Sequence, residues 1–555
     1  MNIHLAFHDL ARTIPASIAL LALAACGGGG HMPPTYSIGG TVSGVAAGKS
    51  LVLENNGGDA LTINANGRFS FATKVTGGGA YAVTATSPQG EACSVTNGSG
   101  TATADVTSVA ISCNSLFSVG GSVSGLVGQG LVLQLSGPAI PLTVAISSNG
   151  QFSFPPTANS DKRYAVNIWQ QPHSPTQRCM VGRGGFGGFL SNGSDITDVS
   201  VVCGEFAYVT SAADNSVSAF SIDPSAGTLT SLGAPVLAGQ GPHAIAHTLY
   251  TGGGRALYVV NGGSNDVSAF SADADSGALT PLGSPVTAGS NPSAAAIFAT
   301  VNPGDISPPP QRLREYLYVA NAGSNDVSAY RADGGPTPLA PASYATGAGP
   351  SAVAIYPGGD VLHSGGGFLY VANAGGSSDL SAFVIDGISG GLTPVPGSPF
   401  PSGGKVRSLG FGAGGKFLYA ADASGGAAAI YGFSVDSSSG ALTSLSALPL
   451  ALPSCDDIVA DQTGAYLYAA AGGSIFGYSI DQTAGALSPL RGFPVAVGAN
   501  ATTLSIDPTN QYLYVDNAGA GTVRGFTLNA ATGALTTIPG SPFAAGSSAD
   551  FVETF

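Results

Sequence analysis

The sequence predicts an all-β chain: two tandem small β-sandwiches followed by a seven-bladed β-propeller that the C-terminal strand closes. Three observations predict it. Of 555 residues, 83 are Gly and 36 Pro, only 9% are charged and three are Met, which suits short β-compatible runs separated by tight turns and not helices. A unit beginning at Tyr36 recurs 81 positions later at Phe117. From residue 204 a different unit, anchored on a tyrosine, recurs seven times.

Residues 1–26 carry one Arg, Arg12, then an apolar stretch from about Ile18 to Ala25 and Cys26. The stretch is too short to span a bilayer and reads as an export leader. Leu23-Ala24-Ala25-Cys26 resembles the lipobox of bacterial lipoproteins, which implies that Cys26 is acylated and begins the mature chain. Gly27 stands where an inner-membrane retention signal would place Asp, so the resemblance implies the outer membrane or cell surface. Glycine-rich residues 27–35 read as a flexible tether.

The next two elements are the repeats at 36–114 and 117–203. Tyr36-Ser-Ile-Gly-Gly-Thr-Val-Ser-Gly pairs with Phe117-Ser-Val-Gly-Gly-Ser-Val-Ser-Gly, and Asn66-Gly-Arg-Phe-Ser-Phe with Asn149-Gly-Gln-Phe-Ser-Phe. Alternating runs bounded by Asn-Gly and Gly-Gly turns predict two β-sandwiches. They resemble the immunoglobulin-like or carboxypeptidase-regulatory-like modules that space functional domains from cell surfaces. In an exported chain the close pairs Cys93 with Cys113 and Cys179 with Cys203 are expected as disulfides, leaving Cys455 as a buried free thiol.

Residues 204–555 hold anchors at Tyr208, Tyr258, Tyr318, Tyr370, Tyr419, Tyr468 and Tyr514, spaced 50, 60, 52, 49, 49 and 46 apart. Four short strands per interval predict propeller blades, and radial closure removes the edges that an open stack would expose. An apolar strand precedes every anchor but the first, and a last one, Ala549 to Thr554, has no anchor after it. That strand is expected to complete the first blade. The 60-residue interval carries an insertion, about Val301 to Glu315, expected to protrude as a loop.

Tyr318-Val-Ala-Asn-Ala-Gly-Ser-Asn-Asp-Val-Ser-Ala-Tyr and Gly277-Ala-Leu-Thr-Pro-Leu-Gly-Ser-Pro resemble the lactonase-type seven-bladed propellers, the 6-phosphogluconolactonase-like family, and the related Tyr-Val-Thr-Asn repeats of surface proteins. The resemblance implies the fold and admits lactone hydrolysis. The single Trp, Trp169, lies outside the propeller, which excludes propellers built on repeated tryptophans.

Two sets of side chains are candidates for chemistry. The position three after each anchor is Ser211, Asn261, Asn321, Asn373, Asp422, Ala471 and Asn517, with Asp214, Asp266, Asp326 and Asp379 just beyond. This could be a polar rim for a ligand, or a set of turn caps. The inner strands, otherwise Ser, Ala, Ile and Val, carry His243, His247, Lys405, Arg407, Asp456, Asp457, Asp550 and Glu553. A lactonase needs a base and an oxyanion partner, for which His243, Arg407 and Asp456 are the candidates. His247, Asp457 and Asp550 join them as expected binding groups at the channel mouth. Asp273-Ala-Asp275-Ser-Gly lacks the later Glu of a calcium loop, and Gly48-Lys49-Ser50 lacks the spacing of a phosphate loop, so no metal or cofactor is expected.

Net charge is −14, and all of the excess falls in residues 204–555, with nine Lys or Arg against 23 Asp or Glu. Such a surface disfavours nucleic acid and anionic lipid, leaving membrane attachment to the lipid anchor alone. The expected function is an exported, lipid-anchored binding or interaction scaffold taking a small-molecule, protein or carbohydrate ligand. The alternative is a lactone hydrolase. The shortage of cations argues against a phosphorylated substrate under either.

Overall fold

The Gly-Gly pair that opens each small repeat marks where the first and last long strands of the repeat run side by side in parallel. A side chain at Gly40 would place its Cβ 1.7 Å from the Val109 carbonyl oxygen, and one at Gly121 would stand equally close to that of Val199. The structure, a computed structural model, describes residues 32–137, 141–157, 163–182, 185–189, 195–248, 255–301, 313–333, 335–356, 366–376, 379–423, 428–498 and 501–555. Cys26, most of the tether and most of the 301–315 insertion lie outside the described residues. In the first repeat, strands Gly67–Ser70, Ile38–Ser43, Val106–Ser115 and Glu91–Thr96 form one sheet, and Asp59–Ile63, Leu51–Asn55, Ala80–Thr86 and Ser99–Thr101 the other. Ile38, Leu51, Leu53, Phe69 and Ile111 fill the space between them. The second repeat has the same arrangement around Val119, Leu131, Leu133, Phe152 and Val199. Disulfides join Cys93 to Cys113 and Cys179 to Cys203, and Cys455 is a buried free thiol.

The chain divides into two compact units, residues 1–114 and 115–555, so the second sandwich belongs with the propeller. Contacts within that unit show how. Gln511 Nε2 donates to the Thr176 carbonyl at 2.8 Å, Ser124 Oγ donates to Asp275 at 2.8 Å, and Arg255 reaches Met180.

The seven tyrosine anchors lie in seven antiparallel sheets. Their inner strands are Phe551–Thr554, Pro242–His247, Pro292–Val301, Pro350–Ile355, Val406–Gly412, Asp457–Ala460 and Leu504–Ile506, each abutting the next around a central channel. Phe551 pairs with Thr210 and Thr554 with Ala207, so the last strand lies in the sheet of the first blade. The outermost strand differs from a simple four-strand meander. In six blades it is two short pieces on the same partner, as with Leu279–Pro281 and Val286–Thr287, whereas the third blade keeps one strand, Thr337–Ala345. Among the described residues no helix is long and apolar enough to cross a membrane.

The anchors explain why the sequence repeats. Each tyrosine is buried and donates its hydroxyl to a hairpin carbonyl of the following blade: Tyr208 to Gly277 at 2.8 Å, Tyr258 to Ala332 at 2.7 Å, Tyr318 to Gly390 at 2.7 Å, and Tyr370 to Gly440 at 2.8 Å. Tyr419 and Tyr468 do the same to Gly485 and Gly533, and Tyr514 closes the ring onto Gly227 of the first blade at 2.7 Å. Blade-to-blade adhesion is therefore written into one residue per repeat, because a buried phenol must find an acceptor.

Candidate functional site

At one end of the channel the residues at the start of each inner strand surround an opening of about 500 Å³. Blade by blade they are Asp550, His243, Ser293, Ser351, Arg407, Asp456 and the pair Thr502 and Thr503. The sequence candidates His243, Arg407, Asp456 and Asp550 thus meet, although they come from four different blades. A break in ladder register after Pro242, Pro292, Pro350 and Val406 sets the following residue, His243, Ser293, Ser351 or Arg407, at a bulge, the local distortion that re-aims a side chain.

The charges are paired or held. Arg407 Nη1 lies 3.7 Å from Asp456 Oδ1, with the Arg side chain 63% exposed. Asp550 Oδ2 accepts from the Ala212 amide at 2.6 Å and from Ser548 Oγ at 2.5 Å. His243 Nδ1 stands 3.0 Å from the Gly241 carbonyl oxygen. A carbonyl can only accept, so Nδ1 carries a hydrogen, and the neutral ring has its lone pair on Nε2.

Behind this wall sit two carboxylates that do not line the opening. Asp516 accepts from the Thr502 amide at 2.8 Å, the Thr502 hydroxyl at 2.6 Å and the Thr503 amide at 2.7 Å, fixing the segment that enters the seventh blade. Asp457 takes the Ser408 hydroxyl at 2.5 Å and the Leu504 amide at 2.7 Å, tying three inner strands together. Burial pushes Asp457 up to about 7 and Asp516 up to about 6. Asp457 was expected at the mouth, but as the neighbour of Asp456 on a strand it faces the other way.

The remaining candidates go elsewhere. His247 lies beside Glu553, Nδ1 to Oε1 3.2 Å, and stacks on Phe555 at 4.6 Å between ring centroids, away from the mouth. Asn261, Asn321 and Asn373 are buried with no exposed surface, so they form no rim. Each Nδ2 donates to an Asp and a Ser of its own hairpin: Asn261 to Asp266 at 2.7 Å and Ser268 at 2.9 Å, Asn321 to Asp326 at 2.8 Å, Asn373 to Asp379 at 2.6 Å. Asn517 accepts an amide from Ala520 through its carbonyl in a turn. The neighbouring turn residues Asn215, Asn265 and Asn325 have positive φ and accept amides of Gly241, Asn291 and Gly349 from the next blade. Asn tolerates that backbone region and supplies the acceptor, which accounts for the Asn-rich turns. Among the described residues the cluster with metal-ligand spacing is Glu91 with Cys93 and Cys113, whose thiols are joined in the disulfide.

Reasoning from sequence missed Ser293, Ser351, Thr502 and Thr503 as lining residues. Their signal was available: Ser293 and Ser351 follow a proline at the same repeat position as His243, and Thr502 and Thr503 lead into the corresponding strand of the seventh blade.

Residues 188–295 and 310–455 match the family model of lactonase, a seven-bladed β-propeller. The propeller is lactonase-like. The match spans less than half of the chain, includes His243 and Arg407, and ends one residue before Asp456. Solved structures share the fold at low identity. A candidate 6-phosphogluconolactonase from Bacteroides fragilis has a TM-score of 0.52 and 20% identity over 63% of this chain and 98% of its own. Another from Bacteroides uniformis has a TM-score of 0.52 and 17% identity over 63% and 99%. A periplasmic gluconolactonase from Pseudomonas aeruginosa has a TM-score of 0.50 and 17% identity over 63% and 98%. No curated protein matches the chain. At these identities the likeness establishes the lactonase-like fold, and chemistry has to be argued from the mouth itself.

Proposed function

We propose that the channel mouth opens an uncharged lactone. The observation that carries this reading is the convergence of His243, Arg407, Asp456 and Asp550 on one opening of a lactonase-like propeller. Lactone hydrolysis needs a group that takes a proton from water and a donor that meets the carbonyl oxygen as it becomes an oxyanion. His243, with its hydrogen on Nδ1, offers Nε2 as the base. Arg407 is the oxyanion donor, steered by Asp456. With His243 neutral, one guanidinium faces two carboxylates, a balance that suits a neutral substrate. D-glucono-δ-lactone in a pH-stat tests the reading. Arg407→Ala and His243→Ala should each lower turnover by at least about a hundredfold. Wild-type protein that leaves the lactone at its spontaneous rate would overturn it.

The ion pair of Arg407 with Asp456 favours a second reading, in which the mouth recognises a ligand without reacting, as the binding part of an exported scaffold. Under both readings the protein is exported and anchored through an acylated Cys26 at the outer membrane or cell surface. Leu23-Ala24-Ala25-Cys26 and two disulfides, which need an oxidising compartment, support this. Cys26→Ser should abolish labelling by a fatty-acid analogue, and unlabelled wild-type protein would remove the anchor from the proposal.

A further inference from the structure

The second sandwich carries one residue that the first has no place for, and that residue is the chain's single tryptophan. Pro88 follows Tyr81 by seven residues, whereas Pro172 follows the matching Tyr164 by eight. The ladders show where the extra residue goes. In the first copy Leu53 pairs with Ala85 and Val52 with Thr86; in the second Leu133 pairs with Ile168 and Val132 with Gln170, which leaves Trp169 over as a β-bulge. A bulge re-aims the residue it adds, and Trp169 is 66% exposed. Its neighbours across the sheet are uncharged. Gln134 pairs with Thr143 on one side and Asn167 on the other, and Val132 with Ala145 and Gln170, so two rows cross the strands Leu142–Ile146, Leu131–Ser136 and Arg163–Gln170. The row through Gln134 offers two amides and a hydroxyl, groups that both donate and accept. The same row in the first sandwich is Ala60, Glu54 and Thr84, with a carboxylate in place of the central amide and no aromatic beside it.

We propose that Trp169 and the row through Gln134 bind a neutral sugar chain. The indole takes the C–H face of one pyranose ring, whose weakly positive hydrogens meet the negative face of the aromatic system. The amides and hydroxyl, about 7 Å away along the strands, bond the hydroxyls of the next ring. Other occupants fit less well. No charged side chain stands in either row to hold an ionic ligand. A stable protein interface buries roughly 800 Å² per partner around an apolar centre, and one indole among polar side chains is no such centre. Attachment to a bilayer takes a wider apolar face or basic residues. None of these residues lines the channel mouth, so the site stands whether or not the mouth is a hydrolase.

Because the chain has one tryptophan, its indole fluorescence reports this site alone. Cellohexaose, a straight chain of uncharged pyranoses, titrated into the full chain should shift the emission to shorter wavelength and saturate with a Kd of about 1 mM or tighter. Gln134→Ala and Asn167→Ala, which leave the reporter in place, should each weaken binding by about fivefold. Trp169→Ala removes the reporter and is read instead by retardation in a native gel containing hydroxyethylcellulose, where it should run as if the polymer were absent. Trp169→Tyr, which keeps an aromatic face, should recover part of the retardation, and a thermal melt of each variant separates lost binding from lost fold. An emission that cellohexaose leaves unchanged would overturn the proposal, as would retardation of Trp169→Ala equal to that of wild type. A shift produced instead by phosphatidylcholine vesicles, or by raising the protein concentration, would overturn it too, because the occupant would then be a bilayer or a second copy of the chain.

Discussion

Gly440 shows how much of the ring one residue can hold. Its φ is +73°, and a Cβ there would lie 2.4 Å from the Phe368 ring, the aromatic two residues before the anchor Tyr370 that donates to the Gly440 carbonyl. The same triad of aromatic, tyrosine and next-blade glycine recurs in six blades, with Phe206, Tyr316, Phe417, Tyr466 and Tyr512 meeting Gly277, Gly390, Gly485, Gly533 and Gly227. Gly440→Ala should therefore combine backbone strain with a clash and cost more than Tyr370→Phe, which removes one buried hydrogen bond worth about 1 to 3 kcal/mol. Urea unfolding of the two variants checks the order. Glu205 is the other residue with a measurable signature. It is 4% exposed, and burial together with the neighbouring Asp507 pushes it up to about 8. Between about pH 4.5 and 8 the unfolded chain has released this proton while the folded chain still holds it. Stability should fall as pH rises across that window, by at most about 1.4 kcal/mol per pH unit. Asp457 and Asp516 act in the same sense up to about 7 and 6. Glu205→Gln, which mimics the protonated acid, should flatten part of the slope in melting temperature between pH 5 and 8; an unaltered slope would mean that Glu205 is ionised in the fold.

At the scale of elements, the strand Phe551–Thr554 does more than fill a place in a sheet. Val552 donates its amide to Thr503 Oγ1 at 3.2 Å and Thr554 to Ser505 Oγ at 3.1 Å, so the strand joins the first and seventh blades across the seam. Asp550, just before it, lines the mouth. Deleting residues 548–555 removes a ladder, exposes the edge of Glu205–Ser211 and unstacks Phe555 from Tyr208, whose rings are 4.8 Å apart. The propeller should then aggregate or melt several degrees lower, while the first sandwich, with its own core and disulfide, keeps its far-ultraviolet signature. Melting indistinguishable from the intact chain would place the closure of the ring elsewhere.

For the whole molecule, the contacts of the second sandwich with the propeller are expected to add to the propeller's stability. Met180 and Val202 stand with Phe206, Arg255 and Phe555 around one small apolar gap, and Arg178 lies close to Glu205. A chain beginning at residue 204 loses these partners and should melt several degrees below one beginning at residue 115. Equal melting temperatures would return the second sandwich to the role of an independent spacer.

The sequence by itself determined what is periodic and local. Alternating runs, turn glycines and one tyrosine per interval placed the blades, and paired cysteines inside each small repeat were close enough to name their bridges. It also marked His243, Arg407, Asp456 and Asp550, because a charged or titratable group stands out in strands of Ser, Ala and Val. Only the tertiary structure decided which of these share a site. His247 follows His243 by four residues, but at roughly 3.3 Å per residue that carries it about 13 Å along the strand and away from the mouth. Asp457 follows Asp456 by one and turns to the opposite face. Asn261, Asn321 and Asn373 had the composition of a rim, yet burial makes each an internal clasp of its hairpin. Ser293 and Ser351 looked inert until the ring set them between His243 and Arg407 at the mouth, since residues roughly 50 positions apart become neighbours only when the blades close around a common axis.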